Sequence, residues 1–196
     1  MKKLCAVLLV LLIGAAAFAD HGGPSLGASY IVSRQQYTTS AGASEDLVFS
    51  GVGVTSGILT SAPLGFALDV TLAWLVGGSV DGAALDMGLY SIKVMFDFLA
   101  GIGYQLPIAP GFFATFTLGP HANGAIAGGG AAFIDNAIVA GIGATARLEY
   151  MLTGTWGLYV GMKGTCDFLA IENGSRTTFN NGFVLAGSLG ISLHTY

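Results

Sequence analysis

Seven charged residues stand out because each lies in a segment where large apolar residues alternate with small or polar ones. They are Asp69, Lys93, Asp97, Arg147, Glu149, Lys163 and Asp167. Both signs are present, so these side chains could neutralise one another in a narrow interior, line a gated pathway for ions or small solutes, or supply acid–base catalysis. We favour the first interpretation, a charge network that plugs the interior, and keep the gated pathway as its alternative.

Catalysis by these acids would need a histidine, and His121 is the candidate. The other histidines of the exported chain, His21 and His194, lie near its ends, whereas His121 lies on an alternating segment near one rim. No well-placed serine and acid accompany it, and no spacing in the sequence fits a set of metal ligands. We therefore expect no enzymatic activity, no cofactor and no metal site.

The elements that carry these side chains are strands, because the alternation has a period of two. The clearest segment runs from Leu64 to Trp74, where even positions are large and apolar and odd positions are small, hydroxylated or acidic. Eight such segments follow one another, at residues 26–34, 47–59, 64–76, 90–106, 112–121, 137–152, 156–169 and 183–196. Short turns alternate with longer loops, which we place at residues 35–46, 77–89, 122–136 and 170–181.

The composition decides which face of these strands meets lipid. Only 9% of the residues are charged and 53% are hydrophobic, against about 25% charged in a soluble domain. Too few charges remain to coat a soluble barrel such as a lipocalin, so the large apolar residues must face lipid and the charges the interior. A spanning helix over residues 98–119 is disfavoured by the glycines and prolines within that stretch. The predicted fold class is all-β, an eight-stranded antiparallel up-and-down transmembrane β-barrel after a cleaved signal peptide.

The N-terminus is typical of an exported protein. Lys2 and Lys3 precede an apolar run, and Ala17-Phe18-Ala19 fits a small-x-small cleavage site, as in a secretory signal peptide. We assign residues 1–19 to the signal peptide and residues 20–196 to a barrel domain in the cell outer membrane. The chain has a formal charge of −4 and becomes more acidic without the signal, which does not favour a nucleic-acid partner.

The whole pattern resembles the small eight-stranded bacterial outer-membrane β-barrels, the OmpW- and OmpX-like proteins. That resemblance implies a monomer in outer-membrane lipid, inserted by the barrel-assembly machinery. The C-terminus departs from the family. Tyr196 is the expected terminal aromatic residue, but His194, Ser192 and Gly190 occupy the alternate positions before it, where such proteins carry apolar residues. Either a bulge near Thr195 restores the register or the insertion signal of this chain differs.

The predicted interior also changes along its length. Toward the extracellular end we expect an apolar pocket formed by Ile31, Leu75, Met95, Leu99 and Val139. An apolar pocket over a polar floor is similar to OmpW-type barrels, which implies a narrow conduit for small apolar solutes that enter from outside and leave sideways. Pro120 cannot donate to a strand ladder and marks a candidate bulge or lateral gap. The alternative is a structural or adhesive surface protein whose extracellular loops contact a host surface molecule.

Overall fold

Eight long strands make up the described part of the protein, as the alternation predicted. A computed structural model describes residues 23–129, 138–172 and 178–194. The strands are β1 (Pro24–Thr38), β2 (Ser44–Leu59), β3 (Leu64–Val80), β4 (Ile92–Ala109), β5 (Phe112–Gly128), β6 (Ile138–Met151), β7 (Trp156–Glu172) and β8 (Thr178–Leu193). The predicted signal peptide and Tyr196 lie outside the described residues. We call the end that carries the connections after β1, β3, β5 and β7 the upper end.

The sheet closes into a barrel, because each strand pairs antiparallel with its chain neighbours and β1 also pairs with β8. The register stagger of the barrel follows from stepping from strand to strand through directly paired residues. Starting at Ala28 in β1, the steps across β2, β3 and β4 reach Gly124 in β5, and the steps in the other direction, across β8, β7 and β6, reach Ala114 in β5. The two end points lie ten residues apart on the same strand, so the strands are strongly tilted to the barrel axis.

The two faces of the strands meet different surroundings, which confirms the predicted fold class. Tyr30 is 52% exposed on the outside of β1, whereas its neighbour Ile31 is fully buried. The exterior carries a continuous set of exposed large apolar side chains, among them Phe66 and Trp74 on β3. A closed barrel satisfies its backbone groups internally, so this apolar exterior suits lipid. No helix among the described residues is long and apolar enough to cross a membrane.

Six strands extend further toward the upper end than the sequence predicted. β1 continues to Thr38, β3 to Val80, β5 to Gly128 and β7 to Glu172, while β2 begins at Ser44 and β8 at Thr178, so the predicted loops next to these ends are wrong over several residues. Polar residues in β1 and glycines in β5 suggested loops, although the inner face that carries Gln35 and Asn123 continues into the lumen. Gln35 and Asn123, for example, are buried there and are joined by a hydrogen bond of 3.4 Å.

The connection between β3 and β4 is ordered and unusual. The chain turns at Asp81 and Gly82, which both have positive φ values, and a two-residue strand, Ala83–Ala84, pairs with the end of β3. A 3-10 helix, Met87–Leu89, follows before β4 begins. We call residues 85–91 the inserted segment.

Pro120 does not produce the bulge considered from the sequence. It pairs with Ile142 of β6, and the β4–β5 register is the same on both sides of it, at Leu99↔His121 and at Ile102↔Leu118. The barrel wall therefore keeps its register at this proline, which lies on the exposed outer face.

Candidate functional site

The lower part of the lumen is closed by ion pairs between β3, β4, β6 and β7. The Nζ atom of Lys163 lies 2.5 Å from an oxygen of Asp69 and also contacts the carboxylate of Asp97. Arg147 approaches Asp69 from β6, with 3.7 Å between the nearest nitrogen and oxygen. All of these side chains are largely or fully buried, so their charges neutralise one another inside the barrel.

Arg147 is held in place by two further contacts. Its Nη1 atom donates to the hydroxyl oxygen of Ser25 at 2.6 Å. Its guanidinium carbon lies 4.2 Å from the centre of the Tyr159 ring, a cation–π geometry. The long Arg147 side chain thus spans the lumen from β6 toward β1 and β7.

His121 joins two carboxylates higher in the lumen. Its Nδ1 atom lies 2.8 Å from an oxygen of Asp167 and its Nε2 atom 2.6 Å from an oxygen of Asp97. All three side chains are completely buried. A neutral imidazole has only one N–H to donate, so the doubly protonated ring fits this position. Asn123 completes the group by donating to Asp167 at 2.8 Å.

Glu149 belongs to a separate group at the lower end. It contacts the hydroxyl of Ser192, and one of its oxygens lies 2.8 Å from Nε2 of His194. The ring of Phe113 stacks on His194, with 6.1 Å between the ring centroids. Ser192 and His194, the polar residues at alternate positions before the terminal aromatic residue, therefore face inward and bind Glu149, which accounts for their polar character.

The structure places Lys93 apart from the other six charged residues. Its Nζ atom donates to the carbonyl oxygen of Met87 at 3.0 Å and lies 6.0 Å from the centre of the Trp74 ring. The cause is the inserted segment, which leaves the barrel wall just before β4 and brings its backbone next to Lys93. The predicted charge network therefore does not extend to this residue.

Apolar side chains fill the upper lumen. Ile31, Leu75, Met95 and Val139 are at most 1% exposed and belong to one cluster. We call it the upper apolar cluster; its other members are Tyr37, Leu47, Phe49, Ala73, Tyr90, Ala125, Ala127 and Val184. Leu99 is also fully buried, but it lies outside this cluster: Asp97 separates it from Met95 on the inner face of β4, and it pairs with His121 of β5. Four of the five apolar residues singled out from the sequence thus belong to one packed cluster, and Leu99 lies lower, at the level of His121.

Two small interior cavities are lined by described residues. The lower one, of about 40 Å³, is lined by residues that include Gln105, Arg147 and Glu149. The other, of about 20 Å³, lies beside Lys163 and Thr71. Neither is lined by the five apolar residues named above. Spaces of this size hold a few water molecules at most, so the floor of the lumen is closed to larger solutes.

Sequence reasoning placed His121 on the inner face but did not find its partners. Asp97, His121 and Asp167 come from three different strands, and which residues meet across a lumen depends on register and tilt. Asn123 was missed because it falls within the predicted loop, although it shares the odd-numbered face of His121. Among the described residues, no group of three or more histidine, cysteine or acidic side chains is arranged to hold a metal ion.

Comparison with known proteins gives likenesses of structure. No protein-family model and no curated protein sequence matches this chain. The outer membrane protein OprG from Pseudomonas aeruginosa is similar in structure, with a TM-score of 0.58 and 11% identity over 91% of this chain and 97% of OprG. The outer membrane protein AlkL gives 0.57 and 13% over 90% of each chain. Neisserial surface protein A gives 0.53 and 14% over 88% of this chain and 99% of that protein.

At these identities the likeness shows the fold. Together with the closed sheet and the apolar exterior, it shows that this chain has the fold of the small eight-stranded outer-membrane β-barrels.

Proposed function

We propose that this barrel admits small apolar molecules from outside the cell into the upper part of its lumen. The observation that carries the proposal is the upper apolar cluster above a closed polar floor. An apolar solute that replaces water with such surroundings gains about 25 cal/mol for each Å² of apolar surface that it buries. Ions and polar solutes gain nothing comparable there.

The floor supports the same proposal by opposing an axial route. A solute that passed straight through would have to separate Lys163 from Asp69 and Asp97. The two carboxylates neutralise the charge of Lys163 in a buried site. Separating a buried pair is strongly unfavourable. We therefore propose that an apolar solute that enters from above leaves sideways through the wall rather than through the floor.

Uptake of an uncharged apolar dye, N-phenyl-naphthylamine, by cells that carry the protein in a lipopolysaccharide outer membrane tests this function. We expect faster uptake than in cells without the protein, and slower uptake when Met95→Asn places an amide in the upper apolar cluster. Thr145→Ala, which changes the wall of the lower cavities, is the matched control and should leave uptake unchanged. Folded protein must be equal in all strains. Equal uptake with and without the wild-type protein would refute the proposal.

The filled lumen favours a second candidate, a structural or adhesive surface protein that acts through its upper loops. Buried side chains occupy the described interior from the lower ion pairs to the upper apolar cluster. If the protein is structural or adhesive, cells that carry the folded barrel should show no added dye uptake. Exchange of the upper loops alone should then abolish binding to a host surface molecule. Insertion by the barrel-assembly machinery and a monomeric state stay predictions under either function.

A further inference from the structure

We propose that the inserted segment, residues 85–91, is the gate of the upper apolar lumen, and that a small apolar solute enters by displacing Leu85 and Met87. The inference rests on the proposed function and names how that function is controlled. It follows from a break in the barrel wall and from the side chains that fill it.

The break lies between β3 and β4. Their pairing runs from Leu64↔Tyr104 to Trp74↔Val94 and resumes only at Ser79↔Ala84. Between these points, the four residues 75–78 of β3 lie opposite nine residues, 85–93, which comprise the inserted segment and the first two residues of β4. The longer side cannot stay in the ladder, so the inserted segment leaves the wall and turns toward the lumen.

The inserted segment covers the upper apolar cluster from above. Leu85 and Met87 pack against the cluster, and Tyr90 is a buried member of it. Leu89, by contrast, is 58% exposed although it lies in the same 3-10 helix as Met87. The segment therefore has an inner face that seals the apolar lumen and an outer face that does not.

The attachments of the inserted segment are local and compatible with opening. Asp86 caps the 3-10 helix by accepting from the backbone N–H of Gly88 at 2.9 Å, so the segment can move as a unit. Besides its apolar packing, the hydrogen bonds that join it to the described part of the barrel are the Leu85 N–H to the Gly78 carbonyl, at 2.9 Å, and the Lys93 contact with Met87. Segments held by few hydrogen bonds open at lower free energy than core strands.

Two substitutions on opposite faces of the 3-10 helix test the gate. Met87→Ser weakens the seal and should raise dye uptake several-fold over wild type in cells with equal amounts of folded barrel. Leu89→Ser changes the exposed face of the same helix and should leave uptake at the wild-type rate. Equal uptake in both variants would overturn the gate.

A reversible cross-link gives the opposite perturbation without weakening the fold. Ser79 and Ala84 are paired across the short hairpin, so Ser79→Cys with Ala84→Cys in a Cys166→Ala background can form a disulfide that ties the chain to β3 at the residue before Leu85 and so restrains the inserted segment. We expect the oxidised protein to lose dye uptake and the reduced protein to regain it. If the wild type takes up dye and oxidation changes nothing, the gate is wrong and the proposed function stands. If the wild type takes up no dye, both fail.

Discussion

Replacing Lys163 by methionine should weaken the barrel more than the loss of either Lys93 or Arg34, which lie outside the buried ion pairs. The substitution keeps most of the side-chain volume and removes the charge between Asp69 and Asp97. Losing one partner of a buried ion pair costs about 3–5 kcal/mol. Asp69 keeps Arg147 at 3.7 Å and Asp97 keeps His121 at 2.6 Å, so we expect a loss of about 3 kcal/mol, the low end of that range.

A second substitution separates lost charge balance from lost packing. Adding Asp69→Asn to Lys163→Met removes an anion together with the cation. Replacing both members of a buried pair by neutral groups is often close to neutral, so the double variant should regain most of the lost stability. Lys93→Met is the matched control, because Lys93 bonds a backbone carbonyl at the rim and its loss should cost about 1 kcal/mol.

Unfolding by urea in lipid vesicles, followed by tryptophan fluorescence and by the gel mobility of folded and unfolded forms, measures these free energies. Lys163→Met should lower the unfolding midpoint clearly and the double variant should restore it. If Lys163→Met and Lys93→Met have equal effects, the floor is not held by an ion-pair network. A double variant less stable than Lys163→Met would likewise contradict the charge-balance argument.

Three further predictions concern the rest of the barrel. Met95→Ala should cost about 2–5 kcal/mol because the side chain is fully buried, whereas Met162→Ala, at a position 74% exposed on the lipid face, should cost much less in the same urea titration. Arg34→Ala removes an ion pair in which both side chains are at least 30% exposed and should change the unfolding free energy by less than about 1 kcal/mol. A cysteine at Ala41, in the connection between β1 and β2, should react with a membrane-impermeant maleimide on intact cells. One at Gly154, in the β6–β7 turn, should react only after the outer membrane is opened, and the reverse pattern would invert the orientation.

The sequence was sufficient for the fold because the two faces of each strand differ so clearly. Segments such as the one from Leu64 to Trp74 show which residues face lipid, and the scarcity of charges shows that the apolar face is outside. The same alternation placed Asp97, His121 and Asp167 inside the barrel. It could not show that they meet, because their contact depends on strand tilt and on the register between strands that are distant in sequence.

The inserted segment could not be predicted either. Its residues lie in what the sequence shows only as a loop between two strands, and the unequal lengths of chain that face each other across the break emerge from register. For the same reason the sequence could not show that Lys93 contacts this segment at Met87. Tyr37 was assigned to a loop because its neighbours are polar, yet it is fully buried in the upper apolar cluster.

The conductance of the folded protein in a planar lipid bilayer tests the central claim, a lumen whose polar floor is closed. In the described part of the lumen, buried ion pairs beside two cavities of about 40 and 20 Å³ close the floor to hydrated ions. The wild-type protein should give a baseline current without stable steps in neutral buffer. Steady, porin-like conductance steps from pure, folded wild-type barrel would contradict it.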